Sequence, residues 1–221
     1  MYKILSSLLY AFITLSSIAQ IGPVFSFKKF LSTNEPFIET YIEVYSNTLE
    51  IREFDSTHIS YGIEVTQVVK NTKEEIVDFK KYTIEEKTKP KEALNNILDL
   101  QRFSLANGNY LLEIQVTDIY NSASTETFTS KLRIDFSDKD LEISDIELLE
   151  SYGETSEINN TTKSGFTLIP LVSNYYSPEF NKLAYYFEIY NPLLDTDESY
   201  VLLQSIKIKE SGEIAGQFNK L

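Results

Sequence analysis

The chain has 221 residues, enough for one large or two small domains, and 42% hydrophobic with 24% charged content is a folding composition, not a disordered one. Asp+Glu 33 against Lys+Arg 20 gives a formal net charge of −13, a surface that repels phosphate backbones and anionic lipid, which argues against a nucleic-acid partner. Cys is absent and His occurs once, so disulfides are excluded and a Cys–His nucleophile or a zinc site lacks its ligands.

Residues 1–20 read MYKILSSLLYAFITLSSIAQ. Lys3 supplies a positive start, Ile4 to Ile13 an apolar stretch, and Ser17 and Ala19 the small residues a signal peptidase requires. This predicts a signal peptide over 1–19, cleaved before Gln20. The apolar run is short for a bilayer, so no membrane span is expected after cleavage.

Beyond the signal the dominant period is two, the mark of strands with one buried face. In 37–46, Ile38, Ile42 and Val44 oppose Phe37, Glu39, Tyr41, Glu43 and Tyr45. In 61–70, Tyr61, Ile63, Val65 and Val69 oppose Glu64, Thr66 and Lys70. Residues 76–84 and 97–104 follow the pattern less cleanly, and KPKEALNNI at 89–97 offers one turn of helix. The next strands are 110–118, with Tyr110, Leu112, Ile114 and Val116 inward, and 127–136, with Phe128, Leu132, Ile134 and Phe136 inward. Polar turns separate them at 70–75, 88–91, 106–109 and 121–124. Short strands at this spacing predict a β-sandwich.

Within it, Leu105, Gly108 and Tyr110 make an L-x-x-G-x-Y pattern at a strand entry. This predicts a tyrosine corner, with the ring in the core, the hydroxyl bonded to upstream backbone and Gly108 free to take a positive φ.

After Phe136 the chain passes through SDKD into an expected strand at 141–149, a polar loop at 151–164, and strands within 165–173, 182–191 and 200–210. The expected architecture is all-β: two tandem immunoglobulin-like β-sandwiches, the first over 22–137 and the second over 138–221. The second holds too few strands to close, which exposes an edge and half a core. Another chain covers it, or the polypeptide is truncated; truncation is the preferred expectation.

The stretches ETYIEVYS (39–46), LANGNYLLEIQVTD (105–118), LEISDIELLES (141–151), GFTLIPLVSNYYS (165–177) and LAYYFEIYN (183–191) resemble, in order and spacing, the N-terminal region of the GWxTD-motif proteins, exported proteins of Gram-negative bacteria. The resemblance implies tandem sandwiches and export to the periplasm or cell surface. The chain has no Trp, so the GWxTD motif itself is absent and nothing attributed to it carries over.

His58 reads as a surface or strand-end residue. Asp135, Asp138, Asp140 and Asp145 crowd the expected domain junction, and DTDE at 195–198 forms a second acidic loop; both read as solvated turns, and no metal or cofactor is expected. The surplus lies in aromatics. Tyr41 and Tyr45 share the less aliphatic face of one strand, and Tyr186 and Tyr190 do so in the second unit. Exposed tyrosines on a flat sheet bind partners or stack on sugar rings, so these four are the candidate partner-binding residues. The expected function is a non-enzymatic, structural or protein-interaction module of the bacterial envelope, meeting an envelope protein or a missing C-terminal domain. The alternatives are a carbohydrate-binding or adhesin-like module and an accessory to a hydrolase.

Overall fold

The structure, a computed structural model, describes residues 20–33, 35–90, 92–178, 180, 182–191, 202 and 204–215. The predicted signal peptide and the DTDE loop lie outside them. The described chain is an all-β sandwich with added sheets; its one helical element is a 3-10 turn, Ser46–Thr48. No helix among the described residues is long and apolar enough to cross a membrane.

Residues 23–134 supply eight strands: β1 (Pro23–Leu31), β2 (Pro36–Val44), β3 (Arg52–Glu53), β4 (Ile59–Asn71), β5 (Ile76–Thr88), β6 (Ile97–Ser104), β7 (Gly108–Asp118) and β8 (Thr125–Ile134). They form two antiparallel sheets. One is ordered β1-β2-β6; in the other β4 lies between β5 and β7, β7 pairs with β8, and the short β3 joins the start of β4. The alternation explains the arrangement. Ile38, Ile42, Val44 and Phe103 from the first sheet meet Ile63, Val65, Val69, Leu112, Ile114, Val116, Leu132 and Ile134 from the second in one core. Burying each such side chain contributes about 1.5–3 kcal/mol.

A polar chain crosses this core. Thr40 Oγ1 donates to Gln67 Oε1 at 2.8 Å, Gln67 Nε2 donates to the Tyr82 hydroxyl at 2.7 Å, and that hydroxyl donates to Asp99. Each buried polar atom therefore has the partner that its desolvation demands.

The tyrosine corner forms. Leu105 is buried, the half-buried Tyr110 packs on the core, and its hydroxyl donates to the Ala106 carbonyl at 2.9 Å. Gly108 serves the corner differently from expectation: its φ is not positive. A Cβ there would lie 3.2 Å from Cε2 and the hydroxyl oxygen of Tyr110, so the missing side chain makes room for the ring. The described residues of the stretch 89–97, where one turn of helix was expected, contain no helix. The described residues of that stretch form a loop, with one bond from the Glu92 N–H to the Lys89 carbonyl, before β6 begins.

The following segment adds β9 (Glu142–Ile143), β10 (Glu147–Glu154), β11 (Thr162–Lys163), β12 (Phe166–Pro170), β13 (Ala184–Tyr186) and β14 (Ile189–Tyr190). They build a four-stranded sheet, β11-β12-β10-β13, and a β14-β9 pair. Of the strand expected at 200–210, the described residues contribute a single bridge, Lys207 to Ile214.

The four-stranded sheet lies against the outer face of β1-β2-β6. The buried contact there joins Tyr41 and Leu100 of the first sheet to Val172, with Val24 packed beside them. The free edge of β1 is capped from the same side. The Lys29 N–H donates to Asp145 Oδ2 at 2.9 Å, the Asp145 N–H returns a bond to the Lys29 carbonyl at 3.1 Å, and the Leu31 N–H donates to the Tyr190 hydroxyl at 3.0 Å.

Candidate functional site

The antiparallel register places Lys28 beside Glu39 and Glu39 beside Arg102 on the outer face of β1-β2-β6. Glu39 shares the less aliphatic face of β2 with Tyr41, the face that alternation alone assigns to solvent. Instead Glu39 and Tyr41 are both fully buried. The covering sheet brings Lys163 from β11 and Glu147 from β10 onto them. Lys163 Nζ stands 2.5 Å from Glu39 Oε2 and 2.7 Å from Glu147 Oε2, while Arg102 Nε donates to Glu39 Oε1 at 2.6 Å. The Tyr41 hydroxyl donates to Glu39 Oε2 at 2.5 Å. Lys163 also sits 4.0 Å above the Phe30 ring, a cation–π contact that helps offset its desolvation.

The electrostatics follow from this packing. Burial raises the Tyr41 phenol far above its ordinary range, and the charges of Glu147 and Glu39 add to the rise. Burial also raises the Glu147 carboxyl; Lys163 opposes the shift without cancelling it.

The tyrosines expected to be free are mostly engaged. Tyr41 cannot meet a partner from solvent. Tyr186 and Tyr190 are half-buried, with both hydroxyls donating to Glu188, at 2.6 and 2.5 Å. Burial, then Glu188, pushes both phenols above their usual range. The Tyr186 ring lies 6.3 Å from Phe30, and Tyr190 meets Phe136 edge-on at 5.7 Å. The single strand expected over 182–191 is two short ones, β13 and β14, in different sheets; Leu183 and Ile189 are exposed while Tyr186 and Tyr190 face inward. Each phenol thus has the hydrogen-bond partner that its partial burial requires. Tyr45, just past β2, is 38% exposed and stays accessible, as does Tyr175 at 65%.

The other candidate groups separate. His58 closes the β3–β4 turn, its Nδ1 3.2 Å from the Asp55 carboxylate. Asp135 pairs with Arg133, Asp140 accepts from Ser137, and Asp145 holds β1. Among the described residues no group of three or more His, Asp or Glu is placed to hold a metal ion. A hollow of about 370 Å³ opens at the seam, where Glu43 and Glu150 lie among Asn95, Asn96 and Leu98; Glu43 is already engaged by the Asn96 amide at 2.9 Å.

The signal that sequence reasoning missed was Lys163. It falls in the stretch 151–164 that reads as a polar loop, but lies on β11, 124 residues from the carboxylate that it neutralises. In comparisons with known proteins, no family model matches the chain, and no curated protein or solved structure is significantly similar to it.

Proposed function

We propose that this chain is an exported, non-enzymatic β-sandwich protein that serves as a structural or protein-interaction module of a Gram-negative envelope. The observation that carries the reading is the seam. The outer face of β1-β2-β6 is covered by the chain's own later strands and fastened by buried Glu39, Lys163 and Glu147, which makes a stiff two-tier body. A tandem immunoglobulin-like organisation, kinship with the N-terminal region of the GWxTD-motif proteins and removal of residues 1–19 belong to the same proposal. Export is supported by the basic-apolar-small pattern of MYKILSSLLYAFITLSSIAQ, and a Cys-free, packing-stabilised body suits that destination. Contact with an envelope protein then falls to the accessible Tyr45 and Tyr175 rather than to Tyr41.

Two measurements test this. In a Gram-negative host the full-length chain is expected in the periplasmic fraction with Gln20 as its new N-terminus; cytoplasmic retention of the intact chain overturns export. A photo-crosslinking residue at Tyr45 or Tyr175 is expected to give a discrete adduct in intact cells. Adducts at neither position, or equal adducts at arbitrary surface sites, overturn the interaction role.

A further inference from the structure

We infer that the seam is a proton-linked latch: docking of residues 138–191 onto β1-β2-β6 buries Glu147, and a proton on its carboxyl tightens the contact. The cluster contains two fully buried carboxylates and one ammonium within reach of both. Arg102, the other cation, is spent on the far oxygen of Glu39, leaving Lys163 as the cation bonded to Glu147.

The charged and titratable groups around Glu147 come from every element packed there. They are Lys28 of β1, beside Glu39 in register; Glu39 and Tyr41 of β2; Arg102 of β6; Lys163 of β11; and Tyr186 of β13, opposite Glu147. Two negative charges therefore share one buried positive charge, and neutralising Glu147 relieves both its own desolvation and its repulsion by Glu39.

The direction follows by linkage. Undocked, Glu147 faces water and titrates as an ordinary carboxylate. Docked, its carboxyl holds a proton to higher pH, because of burial first. Between those two values the docked form binds more protons, so acidification tightens the seam; that stabilisation is lost as pH rises through the docked value. The seam is thus closed more firmly below the docked value than above it.

Two amides report on docking directly. The N–H groups of Lys29 and Leu31 are held across the seam by Asp145 and Tyr190. Their hydrogen-exchange protection, relative to free peptide at each pH, is to be followed in the full chain from about pH 8 to about pH 5. One linked proton permits a rise of up to about tenfold per pH unit. Glu147→Gln keeps the shape but cannot titrate, so the effect of acid on Asp145 and Glu188 is common to both proteins and cancels in their ratio. The wild-type-to-variant protection ratio is expected to climb as pH falls, with core amides such as Ile114 indifferent. Lys163→Gln, which removes the shared cation, is expected to be loose at neutral pH and to steepen the acid dependence. A wild-type-to-Gln ratio that stays flat or falls toward acid overturns the latch, as does a Lys163→Gln seam that acid does not close.

Discussion

At the scale of single residues, Gly108 and Tyr110 show how a local motif acts through contact rather than backbone freedom. The Tyr110 hydroxyl bonds to Ala106 four residues upstream, and its ring occupies the space that a side chain at 108 would take. Tyr110→Phe is expected to lower unfolding stability by about 1 kcal/mol through the lost hydrogen bond. Gly108→Ala, whose Cβ needs the Tyr110 ring to give by only a few tenths of an ångström, is expected to cost at most about 1 kcal/mol; denaturant midpoints measure both. The buried phenols give a second prediction. Tyr41, Tyr82, Tyr186 and Tyr190 all ionise above the ordinary range, Tyr82 chiefly through burial and then through Asp99. A raised phenol stabilises the fold below its unfolded value of about 10, and that contribution is lost as pH rises beyond it. In alkaline titration the phenolate absorbance of these four of the 15 tyrosines is expected to emerge only together with unfolding. Smooth ionisation of every tyrosine with the fold intact would contradict the packing.

At the scale of elements, β2, β4, β7 and β8 were legible because each carries a face that water shuns, whereas β1, half-buried along nearly all its length, shows no such alternation and was not read as a strand. In β4 and β7 the predicted inward residues Ile63, Val65, Ile114 and Val116 are all buried. β2 was legible as a strand, but its surroundings were not. Both of its faces are covered, yet one holds Glu39 and Thr40's neighbour Tyr41, residues that alternation alone assigns to solvent. The partner that permits this, Lys163, sits on β11, a two-residue strand too short to show a period. β5 illustrates the converse: Ile76, Val77 and Phe79 stand exposed on a strand whose period was weak because little of it is buried. One element-level position is unusually strict. In the β4–β5 pair, a Cβ at Gly62 would fall 2.3 Å from the Ile84 carbonyl oxygen and 2.9 Å from Ile119 Cδ1. Gly62→Ala is expected to part the two strands locally, at a cost of about 3 kcal/mol, seen as a lowered denaturant midpoint and faster amide exchange along β5.

At the scale of the whole molecule, the two sheets of residues 23–134 enclose their own, mostly aliphatic core, whereas the buried apolar cluster of the later segment is shared with Tyr41 and Leu100. Charge does much of the joining. Glu39 accepts bonds from Arg102, Lys163 and Tyr41. Glu39→Ala strands those donors and is expected to cost about 3 kcal/mol. The loss is expected first as weakened protection at Lys29 and Leu31, with the amides of Ile63 and Ile114 still slow to exchange; simultaneous loss everywhere would mean that the tiers unfold as one unit. The capped edge of β1 also dictates an order of assembly. The platform on which Glu147 and Lys163 come to rest does not exist until β6, more than fifty residues beyond β2 in the chain, has zipped alongside it. In refolding, the later strands are expected to dock only after that scaffold has formed, so that exchange protection at Lys29 and Leu31 follows protection at Ile114, and a nascent chain emerging N-terminus first presents the foundation before the storey built on it.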